Sequence, residues 1–501
     1  PVLFLPGDVF ANRGPDPVLQ QVEDFGDGTV SVNDCFKPVS RYFDRITRPE
    51  QLLIALPRAF RTMTDPADCG PVTLSMCQDV QAEAFDYPVS FFEPKVWYQR
   101  RIRPDVGELA RVAEAVKAAK NPVIVAGGGV HYSDACEDLQ AFAKAHGIPV
   151  AETQAGKSAL AWDHPLNLGP IGVTGGEPAN DVCAKADLVL GVGTRFQDFT
   201  TGSWGLFANP ERKIISLNTA AYDATKHGAM PLMADAKVGL AELGDAISGY
   251  KVDAGVGALK TDWFGKVDPL TDASEGNELP TDMQVVGAVH RSATDETVAM
   301  CAAGTMPGEL HKLWKANKPG AYHMEYGFSC MGYEIAGAMG IKMAQPERDV
   351  ICFAGDGTYM MANSEMATAA MLGISFTVVI TDNRGYGCIN RLQMGTGGAE
   401  FNNLLAHSTG GENSNIDFAA HAGSMGATSV KVSTIAELEA ALAKRHEIRG
   451  PYVVVIDTDP YPSTPHGGTW WDVGVPEVSE RAEVNEAYAN YQENKKSQRI
   501  D

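Results

Sequence analysis

Two short strings hold the residue types that bind a cation beside phosphate: Gly355-Asp356-Gly357 and, 28 positions beyond Gly355, Asn383 in the pair Asp382-Asn383. A carboxylate and an amide oxygen are hard donors that suit Mg²⁺. The glycines on either side of Asp356 let main-chain N–H groups approach a phosphate with no Cβ in the way. A main-chain carbonyl near Gly385, two phosphate oxygens and a water would complete an octahedron. A Gly-Asp-Gly taken alone is a turn; here the flanking pattern makes it more. The apolar run Asp349–Ala354 reads as a strand ahead of it, Asn363–Leu372 as an Ala/Met-rich helix behind it, and Ser375–Thr381 as the next strand, running straight into Asp382-Asn383. The carboxyl ends of neighbouring parallel strands are where such sheets bind ligands.

The elements that must position these ends follow an alternating pattern along most of the chain, which implies an α/β fold with doubly wound parallel sheets. Helical spacing at Val106–Lys120 and Asp134–His146, with strands at Pro122–Ala126, Ile148–Val150, Ala186–Gly191 and Lys213–Leu217, marks a central α/β domain over 104–250. Residues 251–280 lapse into Gly, Asp, Lys and Pro and read as a linker. A further α/β domain over 281–465 carries strands at Thr297–Ala302, Asp349–Ala354, Ser375–Thr381 and Tyr452–Asp457, with helices at Met331–Lys342, Asn363–Leu372, Asp417–Ala422 and Ile435–His446. Residues 1–100, with a strand at Val2–Leu5, a helix near Pro49–Thr62 and a strand at Pro71–Met76, amount to half a domain. A tail, 466–501, holds a helical stretch near Glu480–Tyr491.

Composition narrows the partners. Of 501 residues 63 are acidic and 41 basic, a net charge of −22 that repels phosphate backbones and anionic headgroups, so neither nucleic acid nor membrane is expected. No apolar run approaches the ~18–20 residues of a membrane-spanning helix. Nine scattered cysteines without a Cys-x-x-Cys pair read as reduced thiols of a cytoplasmic protein. The chain starts at Pro1 within an apolar run, with neither an initiator Met nor a signal peptide, and is expected to lack upstream sequence.

Two more strings join the metal motif: Ala302-Ala-Gly304-Thr305-Met306-Pro-Gly308 and Phe328-Ser-Cys-Met331-Gly332-Tyr. With them the chain resembles the acetohydroxyacid synthase-like superfamily of thiamine diphosphate enzymes, in the order Pyr domain (here incomplete), central domain, PP domain. The resemblance covers essentially the whole chain. It implies the cofactors thiamine diphosphate and Mg²⁺, with Asp356, Asn383 and Gly385 on the metal. The cofactor-binding residues would be Gly304, Thr305, Ser329, Met331, Gly355, Asp356, Gly357, Thr358, Asn383 and Gly385. Met331 would lie under the thiazolium, and the Ser329 carbonyl would accept a hydrogen bond from the 4′-amino group. The family's activating glutamate comes from the first half of the Pyr domain. None of Glu50, Glu83 or Glu93 stands in the matching context, so the chain as written is expected to be inactive by itself.

The strings Phe36–Ile46, Gly385–Gln393 and Trp470–Ser479 resemble, within that superfamily, the hydrolases that open trihydroxycyclohexane-1,2-dione in myo-inositol breakdown. That resemblance implies a cyclic diketone as substrate, hydrolytic C–C ring opening to 5-deoxy-glucuronate, and a homodimer or homotetramer. Asn390, Arg391 and Gln393, directly after the metal loop, would face substrate hydroxyls if that loop folds back. His323 and His466 are candidate proton carriers. A relative that decarboxylates or ligates 2-oxo acids, such as an acetolactate synthase, is the rival reading, and a non-catalytic subunit is another. Gly127-Gly128-Gly129 and Gly191-Val-Gly193 do not complete a dinucleotide fingerprint and read as tight strand-to-helix turns. The Trp470-Trp471 pair reads as an anchor for the tail.

Overall fold

The computed structural model describes residues 2–12, 19, 21–273, 278–411 and 414–498. Residue 1 of the first expected strand run, 274–277 of the expected linker and 499–501 of the tail lie outside them. The described chain divides into two compact units, one of residues 1–103 with 219–222, the other of 104–218 with 223–501.

The smaller unit holds a four-stranded parallel sheet built on its central strand. Strands β1 (Leu3–Phe4) and β2 (Gly7–Asp8) pair in succession along one edge of β4 (Val72–Cys77), and β3 (Tyr42–Ile46) pairs along the other. The sequence pattern missed β3, because Tyr-Phe-Asp-Arg-Ile does not alternate in polarity. Its Arg45 reaches the Asp8 and Asp34 carboxylates at 2.7 and 3.0 Å, and Ser75 also donates to Asp8. The string Phe36–Ile46 is thus used here for structure. The helix Leu52–Thr64 packs Ala55 and Ala59 onto the sheet.

The larger unit contains two six-stranded parallel sheets. The first has β5 (Pro122–Ala126), β6 (Val150–Glu152), β7 (Asn167–Pro170), β8 (Leu188–Val192), β9 (Lys213–Asn218) and β10 (Met230–Met233), ordered β10-β9-β8-β5-β6-β7. The second has β11 (Thr297–Cys301), β12 (Tyr322–Met324), β13 (Asp349–Gly355), β14 (Thr377–Asp382), β15 (Thr428–Val432) and β16 (Tyr452–Asp457), ordered β12-β11-β13-β14-β16-β15. The inner strands are continuous Val/Ile/Cys/Ala runs because helices cover both faces. Within this unit the pattern missed the edge strands β7, β10, β12 and β15, which are short or partly exposed.

Two expectations need correction. Inside the expected linker lies a helix, Gly257–Val267, whose Trp263 and Val267 enter the core under the second sheet. No side chain caps its start, so the sequence carried no start signal. Gly385–Gln393, expected as a loop, is mostly helix, Gly387–Gly395, with Asn390 buried.

The glycine turns of the first sheet pack main chain on main chain: a Cβ at Gly129 would lie 2.6 Å from Gly193 Cα, and one at Gly127 would lie 2.4 Å from Gly193 O. A buried polar seam joins the two sheets. His311 Nε2–H donates to the Glu152 carbonyl and its Nδ1 accepts from Thr174 Oγ1, at 3.1 and 3.0 Å. Lys157 Nζ donates to the His311 carbonyl, Gln154 to the Pro307 carbonyl, and Tyr322 OH to Gln154. Burial holds His311 far below its usual range, in the neutral form this pattern requires, and lowers Lys157 to about 8.

The Trp470-Trp471 pair anchors the tail on the first sheet's domain, and Arg481 donates to the Gly397 carbonyl of the second. Trp471 Nε1–H donates to Asp198 and its ring stands edge-on to Phe199, while Trp470 meets Tyr491 of the helix Ala482–Lys495.

Candidate active site

The chain reverses direction across the second sheet between β11 and β13: β12 lies to one side of β11, and β13 to the other. Such a switch point opens a crevice at the strand carboxyl ends. Gly304-Thr305 leave β11, Gly355 to Thr358 leave β13, and Asp382-Asn383 leave β14. Gly355 pairs with Thr381, which sets Asp356 opposite Asp382.

Asp356 is buried. Burial, with the Asp382 carboxylate beside it, raises its carboxyl to about 7, against hydrogen bonds from main-chain N–H groups that include Gly385 N at 2.9 Å. Asn383 Oδ1 is buried with no hydrogen-bond partner. A buried carboxylate of raised pKa beside an unpartnered amide oxygen is the arrangement a hard cation relieves, so these residues fit the metal their types suggested. Among the described residues no three His, Cys, Asp or Glu gather as a metal cluster. Gly385 has φ +149°, and a Cβ there would meet the Asn403 carbonyl at 2.5 Å.

Near Asp356 the main chain is open. A Cβ on Gly304, where φ is +83°, or on Gly355 would meet no atom within 4 Å, leaving room for a diphosphate. A Cβ on Gly357 would lie 2.7 Å from the Tyr386 ring and 3.6 Å from Met331 Cε, so the Met331 methyl lies near the turn after Asp356. Ser329 adopts φ +52°, which costs roughly 1–3 kcal/mol for a residue with a Cβ, and its hydroxyl donates to the Ala302 carbonyl. Thr358 Oγ1 accepts from Gly332 N and donates to Glu334.

The residues expected to face substrate are more dispersed than the sequence suggested. Arg391 donates to Thr305 Oγ1 at 2.7 Å and to the Pro460 carbonyl, so it braces the Gly304-Thr305 turn. Asn390 donates to Glu400 and leaves its Oδ1 buried without a partner. Gln393 donates to the Ala399 carbonyl and accepts from Asn403. Helical spacing sends these three side chains to different protein neighbours. His323 lies on β12 with Nε2 at 3.0 Å from Tyr333 OH, and burial lowers its pKa. His466, also lowered by burial, lies near Lys312 and Glu309.

Sequence reading missed the buried acids around this crevice. Glu309 accepts from Thr464 N, Asp282 has one carboxylate oxygen without a partner, and Glu334 is 1% exposed. Only Asp282 carried a signal, as the first residue of a helix opened by the Thr281/Gln284 capping box.

Burial, with Glu309 nearby, raises Asp282 to about 7, while Arg391 lowers it and Asp459 raises it. The folded state thus holds this proton at pH values where the unfolded chain has lost it. The group's contribution to stability is complete below about pH 4 and is lost as pH rises through 7. Asp282→Asn should flatten that slope. Between pH 5 and 8 the variant's melting temperature should gain on the unaltered protein by several degrees, at ~2–4 °C per kcal/mol. Parallel melting profiles would show that Asp282 does not titrate there.

The model of the thiamine pyrophosphate enzyme central domain matches residues 109–243, and that of the thiamine pyrophosphate enzyme C-terminal TPP binding domain matches 302–456. A 3D-(3,5/4)-trihydroxycyclohexane-1,2-dione hydrolase of Geobacillus thermodenitrificans is 42% identical over an alignment of 530 positions, covering 99% of this chain and 82% of that protein. Proteins of the same name from Bacillus cereus and Halalkalibacterium halodurans are also 42% identical, over 97% and 98% of the chain and 81% and 82% of their own length. The chain belongs to the trihydroxycyclohexanedione hydrolase family of thiamine pyrophosphate enzymes. For a member of this family, Asp356 and Asn383 fall within the matched TPP binding domain, as do Gly304, Thr305, Met331 and Arg391. The central domain of this hydrolase family member carries the close-packed glycine turns.

Proposed function

We propose that this protein opens the ring of 3D-(3,5/4)-trihydroxycyclohexane-1,2-dione by hydrolysis, giving 5-deoxy-glucuronate in myo-inositol catabolism, with thiamine pyrophosphate and Mg²⁺ bound at the second sheet. The observation that carries this reading is the 42% identity, over nearly the whole chain, to proteins bearing that name. The bond between two adjacent carbonyl carbons breaks, water supplies hydroxyl to one and hydrogen to the other, and a carboxylic acid and an aldehyde result.

When bound, thiamine pyrophosphate supplies a carbanion that adds to a carbonyl and then stores negative charge. The protein's part is to hold and orient. Asp356, the Asn383 amide oxygen and the Gly385 carbonyl hold the cation, and the open main chain at Gly304 and Gly355 admits the diphosphate. Met331 supports the cofactor from beside Gly357. Arg391 fixes Thr305. His323, hydrogen-bonded to Tyr333 and lowered in pKa by burial, is the candidate proton carrier.

The protein acts as a homo-oligomer in the cytoplasm. Phe328, 90% exposed three residues from Met331, and exposed Met360 and Met361 beyond Thr358 fit cover by a second copy. All nine cysteines are free, which suits a reducing compartment, and among the described residues no helix is long and apolar enough to cross a membrane. The test is turnover by the protein expressed from its gene, supplied with thiamine pyrophosphate and Mg²⁺. The trihydroxylated dione should give a product heavier by one water, and efficient consumption of pyruvate instead would replace this reading.

A further inference from the structure

The three turns assigned to the cofactor converge on one buried carboxylate. Glu334 sits in the first turn of the helix Tyr333–Ala344, 1% exposed, beneath the turn that carries Met331. Its Oε1 accepts from Ala303 N at 3.1 Å, in the loop after β11. Its Oε2 accepts from Gly332 N at 2.9 Å, directly after Met331, and from Thr358 Oγ1 at 2.7 Å, directly after Gly357. Gly332 N also lies 2.8 Å from Thr358 Oγ1, which closes a small ring of bonds. These donors come from segments separated by 31 and 24 residues from Glu334. A residue that merely capped its own helix would need only the Gly332 bond.

The placement is costly by itself. The group lies near the buried thiols Cys301 and Cys352 on β11 and β13. No cation offsets it among the described residues, and burial pushes its carboxyl up while the three donors pull it down. A carboxylate so held is stable only while every donor points at it, which makes it a gauge of the relative positions of the three turns. Gly332, at φ +93° with a would-be Cβ 2.9 Å from Ala362 Cβ, leaves its own turn little latitude.

We propose that Glu334 is a positioning residue for the cofactor, tying the diphosphate turn at Gly304-Thr305, the Met331 support and the Asp356–Thr358 turn into one frame. This rests on the assignment of thiamine pyrophosphate to the site. Glu334 touches neither cofactor nor substrate and acts through Ala303, Gly332 and Thr358.

Glu334→Gln keeps size and shape but replaces one acceptor oxygen by an NH₂ that cannot accept. One of the two sides, Ala303 N–H or the Gly332/Thr358 pair, then faces a donor. A stranded buried donor costs about 1–3 kcal/mol, so affinity for thiamine pyrophosphate with Mg²⁺, measured by calorimetric titration, should fall roughly tenfold to a hundredfold. Thr358→Val should weaken binding in the same direction, while Thr358→Ser, which keeps the hydroxyl, should restore affinity to within about threefold. A merely structural Glu334 would lower the melting temperature without cofactor but leave the affinity of the folded variant unchanged. Unchanged affinity in Glu334→Gln or in Thr358→Val would overturn the proposal. Failure of the unaltered protein to bind thiamine pyrophosphate would overturn the site assignment, and the proposal with it.

Discussion

Asp356→Ala should abolish Mg²⁺-dependent binding of thiamine pyrophosphate. The substitution removes the only carboxylate among the proposed cation donors and leaves an amide and a main-chain carbonyl, too little charge to strip water from Mg²⁺. It also strands the Gly385 N–H that donates to that carboxylate, so the turn bearing the third donor loosens. Asn383→Ala should come close to the same result, because its buried Oδ1 has no other partner to serve. Titration calorimetry with and without Mg²⁺ reads both effects. The fold should survive Asp356→Ala, since a buried carboxyl raised to about 7 contributes little to stability at neutral pH. Normal cofactor affinity in Asp356→Ala would reduce Gly355-Asp356-Gly357 to a turn.

The second large effect concerns substrate. A site built to bind three hydroxyls leaves its own polar groups unpaired when they are missing, and discrimination reaches ~10⁴–10⁵ in favourable cases. Turnover of the trihydroxylated dione should therefore exceed that of unsubstituted cyclohexane-1,2-dione by about that ratio in kcat/KM. The side chains of Arg391 and Gln393 are engaged with Thr305, Pro460, Ala399 and Asn403, so Arg391→Ala and Gln393→Ala should depress both substrates alike. Arg391→Ala should in addition weaken cofactor binding through Thr305. Comparable turnover of the two diones by the unaltered protein would remove hydroxyl recognition from the proposed function.

The strand ends that bear Asp356 and Asn383 were legible because a strand buried on both faces is a continuous apolar run, and a polar pair at its end marks where the run stops. The partners of Arg391 were not legible. A Gly-Tyr-Gly opening reads as loop until tertiary packing makes Gly387–Gly395 a helix, and the helix turns consecutive side chains to different faces. Glu334 was hidden for a related reason. In sequence it is an acid in a first helical turn, where carboxylates are common. Its meaning comes from Ala303 and Thr358, which only the sheet brings beside it. The helix at Gly257–Val267 escaped because tertiary burial of Trp263 and Val267 supplied what its uncapped start lacked.

A histidine with both ring nitrogens engaged across two sheets removes their freedom to swing against each other. His311 lies in the helix Met306–Leu313, which begins one residue after Thr305, so the seam of Glu152, Gln154, Lys157 and Thr174 grips the far side of the Gly304-Thr305 turn. The central domain needs no ligand of its own to matter here; it is the anvil against which that turn is held still. Tilting one sheet on the other would strand a buried lysine and a neutral imidazole together, so this side of the catalytic crevice has no hinge.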